Sequence, residues 1–219
     1  HIKPHSLFDK EYFSTIKSNK DNGKAPTGKL DHFGGLTKDE LMNVLRLMYT
    51  SRQIDNKSHN LIKQGKGFFH LAAGGHEATQ IAFGLAMDPK KDWAFPYYRD
   101  VGFMVALGVK VEDIFLHQTA KADDIMSGGR QMPCHWGAKE FNVPTQSSPT
   151  GTQFLQAVGA ALANKKKGID AVTYVSSGEG TTSEGEFHEA VNWASREKLP
   201  VVFVIQNNKW AISVLVENQ

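Results

Sequence analysis

Apolar and polar positions follow two rhythms along this chain, and one stretch runs through both. Ala171–Ser176 is a short apolar, β-rich run that stops at Gly178-Glu179-Gly180. Phe187, Ala190, Val191 and Ala194 then recur at helical spacing, as one buried stripe. Pro200 closes that helix, and Val201–Ile205 is apolar enough for a strand covered on both faces. Strand, glycine turn, helix and strand predict a βαβ unit over Asp170–Val214, part of a parallel sheet with helices on its faces.

The remaining patterns are weaker. Residues 1–35 are polar and broken by Pro4, Gly23, Pro26 and Gly28, which predicts an extended arm with a short helix near Phe8–Ile16. Thr37 with Glu40 reads as a capping box opening a helix that runs to about Gln64, with Leu41, Val44, Leu45 and Met48 inward. Gly65-Lys66-Gly67 ends it, and Phe68 and Phe69 are expected in the core. Ala78, Ile81, Ala82 and Leu85 predict another helical stripe, and Trp93–Phe95 a short strand. Gln118–Ser127 is helical or looped, and Gly129–Gly137 resists regular structure. Ser147–Gln153 enters a helix with Leu155, Val158, Gly159 and Leu162 on one face, and Lys165–Lys167 is its solvated end.

In an open parallel sheet, ligands sit beyond the carboxyl ends of the strands. Glu179 lies past one such end and Asn207-Asn208 past the next. A hard divalent cation takes carboxylate and amide oxygens together with phosphate oxygens, so Glu179 and Asn208 read as a metal–diphosphate cradle. Gly178 and Gly180 would let the backbone approach the diphosphate closely. The plainer reading is a glycine turn and an asparagine turn of any α/β domain. Arg99, after Tyr97-Tyr98, is a candidate phosphate reader, or else half of a surface pair with Asp100. Phe69, His70 and Tyr97 are candidate substrate contacts, against packing at a turn for His70. His117 and His135 match no common metal spacing.

Composition narrows the setting. At 219 residues with a formal net charge of +2, the chain can bury one core and shows no sign of nucleic-acid or membrane binding. Cys134 is the only cysteine, which excludes an intrachain disulfide and fits a reducing compartment. No apolar run approaches the roughly 18 residues that span a bilayer. The chain opens at His1 and stops just after the second ligand turn, and we read it as part of something longer.

GEGTTSEGEFHEA followed by NNKWAIS resembles the thiamine diphosphate fold motif, with Glu179 where Asp is commoner. Together with PYYRDVG, GRQMPCHWG and SSPTGTQ, these segments resemble, in order, the alpha subunits of branched-chain 2-oxo acid dehydrogenases, from about Leu36 to the end. The resemblance implies a thiamine diphosphate-binding α/β domain over 36–219, incomplete on its C-terminal side. It implies Mg²⁺ held by Glu179, Asn208 and the carbonyl of Trp210. Tyr98, Arg99, Gly178, Gly180 and Thr181 would meet the diphosphate, and Ser148 and Thr150 the aminopyrimidine. Gln206 stands where relatives place a diphosphate-binding Arg. Ser147, Pro149, Thr152 and Gln153 match a turn that binds a structural potassium ion.

The activity implied is oxidative decarboxylation of branched-chain 2-oxo acids, with the acyl group passed to a lipoyl arm. The partners implied are a beta subunit, in an alpha2beta2 heterotetramer or fused downstream, and a lipoyl-bearing acyltransferase. The family's catalytic histidine would lie beyond Gln219. The compartment would be the cytoplasm of a bacterium or the mitochondrial matrix of a eukaryote. Gly67-Phe68-Phe69-His70-Leu71 keeps open the alpha subunit of pyruvate dehydrogenase. A non-catalytic cofactor-binding subunit is a third reading. An NAD-binding Rossmann fold is disfavoured, because Ser183 stands where GxGxxG needs its last glycine.

Overall fold

A computed structural model describes residues 36–219. The expected arm and its short helix lie outside the described residues. The chain divides into two units, residues 1–41 and 42–219. Of the first, the capping box is visible. Thr37 donates its backbone N–H to Glu40 Oε2 at 2.7 Å, and Glu40 returns its own to Thr37 Oγ1 at 3.3 Å.

The helix that follows, α1 (Lys38–Lys63), turns polar side chains inward: Ser51, Asp55 and Ser58 are buried beside Ile54. Leu45, expected inward, is exposed. Gly65, with φ of +69°, ends the helix as expected. Phe68, expected in the core, is 70% exposed. Helix α2 (Glu77–Ala86) departs most from the apolar pattern. Its buried positions are Glu77, Gln80, Ile81 and Gly84, whereas Ala78, Ala82 and Leu85 face out. Gln80 bonds the buried Gln206 and Glu77 the half-buried Arg52, and a satisfied polar side chain can hold an inward position.

Strand β1 (Trp93–Phe95) leads to helices α3 (Val101–Leu107) and α4 (Val111–Gln118). Residues 119–137 are turns and coil, as expected for Gly129–Gly137, and Ala138 forms an isolated antiparallel bridge with Val143. Helix α5 (Thr152–Lys166) buries Phe154, Ala157, Val158 and Ala161, a face rotated from the one expected, with Gly159 exposed. The βαβ unit is then β2 (Thr173–Gly178), a tight turn at Glu179–Ser183, α6 (Gly185–Arg196) and β3 (Val201–Gln206). Val191, expected in the stripe of α6, is exposed, while Ala190 and Ala194 are buried. A hairpin of β4 (Trp210–Ala211) and β5 (Val214–Leu215) follows.

Strands β1, β2 and β3 pair in that order and all run parallel. Successive strand residues face opposite sides. Phe95, Val175 and Phe203 meet α5 and α6 in one core, and Ala94, Tyr174 and Val204 join α3 and Trp136 in the other. The fold is therefore α/β, with a parallel sheet covered on both faces. Val202 of β3 remains exposed, so that strand is less covered than its sequence suggested.

Candidate functional site

The carboxyl ends of the three strands carry the motifs, because parallel strands deliver their ends to one edge. Past β2, the side chain of Glu179 is buried. Its Oε2 accepts the backbone N–H of Asn208 at 3.3 Å, and its Oε1 is buried without a hydrogen-bond partner. The two expected metal ligands are thus neighbours. Asn208 Oδ1 accepts the Trp210 N–H at 2.9 Å and Asn207 Oδ1 the Lys209 N–H at 2.7 Å, which shapes the turn with Lys209 in the left-handed region.

The glycines of the motif divide in role. A Cβ on Gly178 would meet only Tyr97 Cε2, at 3.8 Å. A Cβ on Gly180 would sit 2.5 Å from the Cβ of Ala211. Gly180 is therefore required by the approach of the hairpin, whatever binds beside it.

Past β1, the guanidinium of Arg99 lies 5.4 Å from the centre of the Tyr98 ring and donates to the Ala72 carbonyl at 2.7 Å. Asp100, its partner in the alternative surface-pair reading, is wholly buried, held by Ser176, Gln206, Tyr174 and the Tyr97 N–H. Burial pushes the Asp100 carboxyl up to about 6 although these four donors pull it down. Gln206, matched to a diphosphate contact, is also buried, and its amide is committed to Asp100 and Gln80.

A cavity of about 70 Å³ adjoins these tips, lined by Tyr97, Tyr98, Ser148, Thr150, Ser177 and Thr181 among others. The structure thus brings the Ser147–Thr150 turn to the end of β2. Ser147 and Thr152 hydroxyls bond one another, and Thr152 Oγ1 also donates to the Pro149 carbonyl at 3.0 Å. Gln153 turns its amide to the Ser176 carbonyl at 3.2 Å. The Tyr97 hydroxyl is buried without a partner, and burial, with Asp100 nearby, pushes its pKa upward.

Phe69 and His70 are not among the residues lining this cavity. The His70 ring is buried, with Nε2 3.1 Å from Asp55 Oδ1 but not aligned as a hydrogen bond. Asp55 Oδ2 accepts the Ala73 N–H at 2.9 Å. His117 pairs with Asp124 at 3.0 Å, and no cluster of three or more metal-ligating His, Cys, Asp or Glu occurs among the described residues. His76, which sequence reasoning passed over, is half-buried at the start of α2. Burial and then Arg99 hold its pKa down, while Glu77 and Glu179 oppose them. No periodicity marks such a residue. The small residues Ala72–Gly75 before it, which suit close packing or a backbone near a ligand, are the one sequence signal nearby.

The family model described as dehydrogenase E1 component matches residues 45–219. The chain belongs to the dehydrogenase E1 component family. Among the relatives of this E1 chain is the 2-oxoisovalerate dehydrogenase subunit alpha of Bacillus subtilis (strain 168). It is 43% identical over 185 residues, covering 84% of this chain and 56% of that one. The mitochondrial 2-oxoisovalerate dehydrogenase subunit alpha of Dictyostelium discoideum is 36% identical over 191 residues, covering 87% and 43%. The pyruvate dehydrogenase E1 component subunit alpha of Bacillus subtilis (strain 168) is 36% identical over 184 residues, covering 84% and 47%. These names agree with the resemblance drawn from the motifs. The chain spans about half the length of the relatives it matches.

Proposed function

We propose that this E1 chain is the cofactor-holding part of the alpha subunit of a thiamine diphosphate-dependent, branched-chain 2-oxo acid dehydrogenase. One observation carries the reading: Asn208 meets one Glu179 oxygen, while the other is buried with no donor. A buried carboxylate oxygen without a donor is costly unless a cation meets it. Carboxylate, amide oxygen and main-chain carbonyl are hard donors of the kind Mg²⁺ prefers, so the residues fit the metal.

Glu179, Asn208 and the Trp210 carbonyl would hold that ion. Arg99, always charged, would exchange the Ala72 carbonyl for a phosphate oxygen. Tyr98, Gly178, Gly180 and Thr181 would border the diphosphate, and Ser148 and Thr150 the aminopyrimidine. Ser147, Pro149, Thr152 and Gln153 would hold a potassium ion that stiffens their turn. When bound, thiamine diphosphate supplies the nucleophilic carbon and the electron sink for decarboxylation. The chain's own part is to bind, orient and neutralise charge. A beta subunit, a lipoyl-bearing acyltransferase that accepts the acyl group, and a histidine beyond Gln219 complete the proposal. It places the enzyme in a bacterial cytoplasm or a mitochondrial matrix.

The branched-chain preference is supported by the higher identity to the 2-oxoisovalerate relative, 43% against 36%. The pyruvate reading leaned on His70, whose ring faces Asp55. A pocket distinguishes one methyl group by only ~1–3 kcal/mol, so rates must decide. Steady-state turnover of the assembled enzyme should favour 2-oxoisovalerate over pyruvate; the reverse order overturns the substrate assignment. Glu179→Ala should abolish Mg²⁺-dependent binding of thiamine diphosphate while the protein stays folded. Unchanged affinity would overturn the site, and binding without turnover in the native assembly would favour a non-catalytic subunit.

A further inference from the structure

One buried carboxylate touches or adjoins every strand tip of the proposed site. Asp100 directly follows Arg99, past the end of β1. Its Oδ2 accepts the hydroxyl of Ser176, near the end of β2, and the hydroxyl of Tyr174 at 3.2 Å. The same oxygen accepts the Tyr97 N–H at 3.3 Å. Its Oδ1 accepts the side-chain amide of Gln206, the last residue of β3 before Asn207-Asn208.

The amides behind it form a chain with one direction. The Gly102 N–H donates to Gln80 Oε1 at 3.0 Å, Gln80 Nε2 donates to Gln206 Oε1 at 2.8 Å, and Gln206 Nε2 donates to Asp100. Gln80 Nε2 also donates to the Arg99 carbonyl at 2.9 Å. The series ends on Asp100 Oδ1 while Oδ2 takes the three other donors, so a group that accepts on both oxygens is required here.

We infer that Asp100 is a positioning residue for the metal and diphosphate site. It receives hydrogen bonds from the ends of β2 and β3 while its own neighbour is Arg99, and so sets the spacing of Glu179, Asn208 and Arg99. The inference rests on reading the strand tips as the cofactor site. Mg²⁺ tolerates little departure from octahedral geometry, with bonds of about 2.0–2.1 Å. A small slip between β2 and β3 would therefore separate Glu179 from Asn208 enough to lose the ion.

The test uses the full-length subunit assembled with its partner, titrated calorimetrically with thiamine diphosphate at saturating Mg²⁺ and the converse, beside thermal unfolding. Asp100→Asn puts an N–H into a site already filled with donors, and Gln206→Met keeps the length but removes the bridge. Asp92→Asn is the control. Asp92 is a buried carboxylate at the other end of β1, accepting the Val172 N–H at 2.8 Å and the Asp88 N–H at 2.9 Å. Asp100→Asn and Gln206→Met should weaken both affinities roughly tenfold or more. Asp92→Asn should lower Tm and leave both affinities at the wild-type value.

If Asp92→Asn weakens binding as much as the others, the effect is general loosening and the inference is overturned. Wild-type affinity in Gln206→Met overturns it too, and that variant decides alone where Asp100→Asn does not fold. Failure of the wild-type assembly to bind would instead overturn the functional reading, and the inference with it.

Discussion

A methyl group added at Gly180 tests how the two halves of the proposed metal site are joined. The new Cβ would lie 2.5 Å from the Cβ of Ala211 in β4. Carbon atoms pack best at about 3.5–4.0 Å, so turn and hairpin must part by roughly 1 Å. Overpacking of this kind costs ~1–3 kcal/mol, which a domain of this size survives. The geometric effect is larger than the energetic one. Strand β4 begins at Trp210, whose carbonyl is the third proposed ligand, and Mg²⁺–oxygen bonds of about 2.0–2.1 Å leave no room for a shift of that size. Gly180→Ala should therefore lower Tm by a few degrees and reduce Mg²⁺-dependent cofactor affinity much more than its stability loss suggests. Gly180→Ala with Ala211→Gly removes the clash and should recover most of that affinity. Wild-type affinity in the single variant, or no recovery in the double, would refute the reasoning.

Gly178 makes the contrasting prediction. Its Cβ would be in ordinary contact with Tyr97, at 3.8 Å, so Gly178→Ala should leave Tm unchanged. If the diphosphate passes close to this backbone, titration calorimetry will still show weakened cofactor binding, and unaltered binding would place the diphosphate elsewhere. The third prediction concerns pH. The Asp100 carboxyl titrates at about 6 in the fold against an ordinary 3.8, so the native state holds that proton more tightly than the unfolded chain. The resulting stabilisation is complete below the ordinary value and lost as pH rises through about 6; its full size is roughly 3 kcal/mol. Between pH 7 and pH 5, wild type should gain about 1 kcal/mol on Asp100→Asn in urea unfolding. A difference that stays constant or shrinks would show that Asp100 is not the group responsible.

Much of this arrangement could be read from the chain before any coordinates. The βαβ unit was legible because β3 is a nearly continuous apolar run, β2 opens on the β-favouring Thr173, Tyr174 and Val175 before a glycine turn, and α6 keeps Ala190 and Ala194 at helical spacing. Thr37 and Glu40 announced a helix start for a purely local reason, reciprocal hydrogen bonds within one turn. The misses share a cause. Ala78, Ala82 and Leu85 looked like the inward face of α2, yet Gln80 and Glu77 took it. Gln80 is bonded to Gln206, and Glu77 accepts Arg52 Nε at 2.7 Å. Those partners are far away in sequence, so no local pattern discloses that a polar residue is satisfied when buried. The partners of Gln206 were hidden for the same reason. Its position in the motif pointed to the diphosphate, whereas its surroundings join it to Asp100. Phe68 shows the converse, since a large apolar side chain beside a glycine turn need not be covered.

Strand β1 contains only three residues, too few for its ladder alone to keep it seated. Buried acids bracket it, Asp92 reaching toward the start of β2 and Asp100 toward the ends of β2 and β3. The strand is clamped at both extremities by side chains, like a short rung pinned at each end. How often this edge breathes is then governed from outside the strand. Amide hydrogen exchange at Trp93–Phe95 should quicken when either clamp is removed, although no residue of the strand has changed.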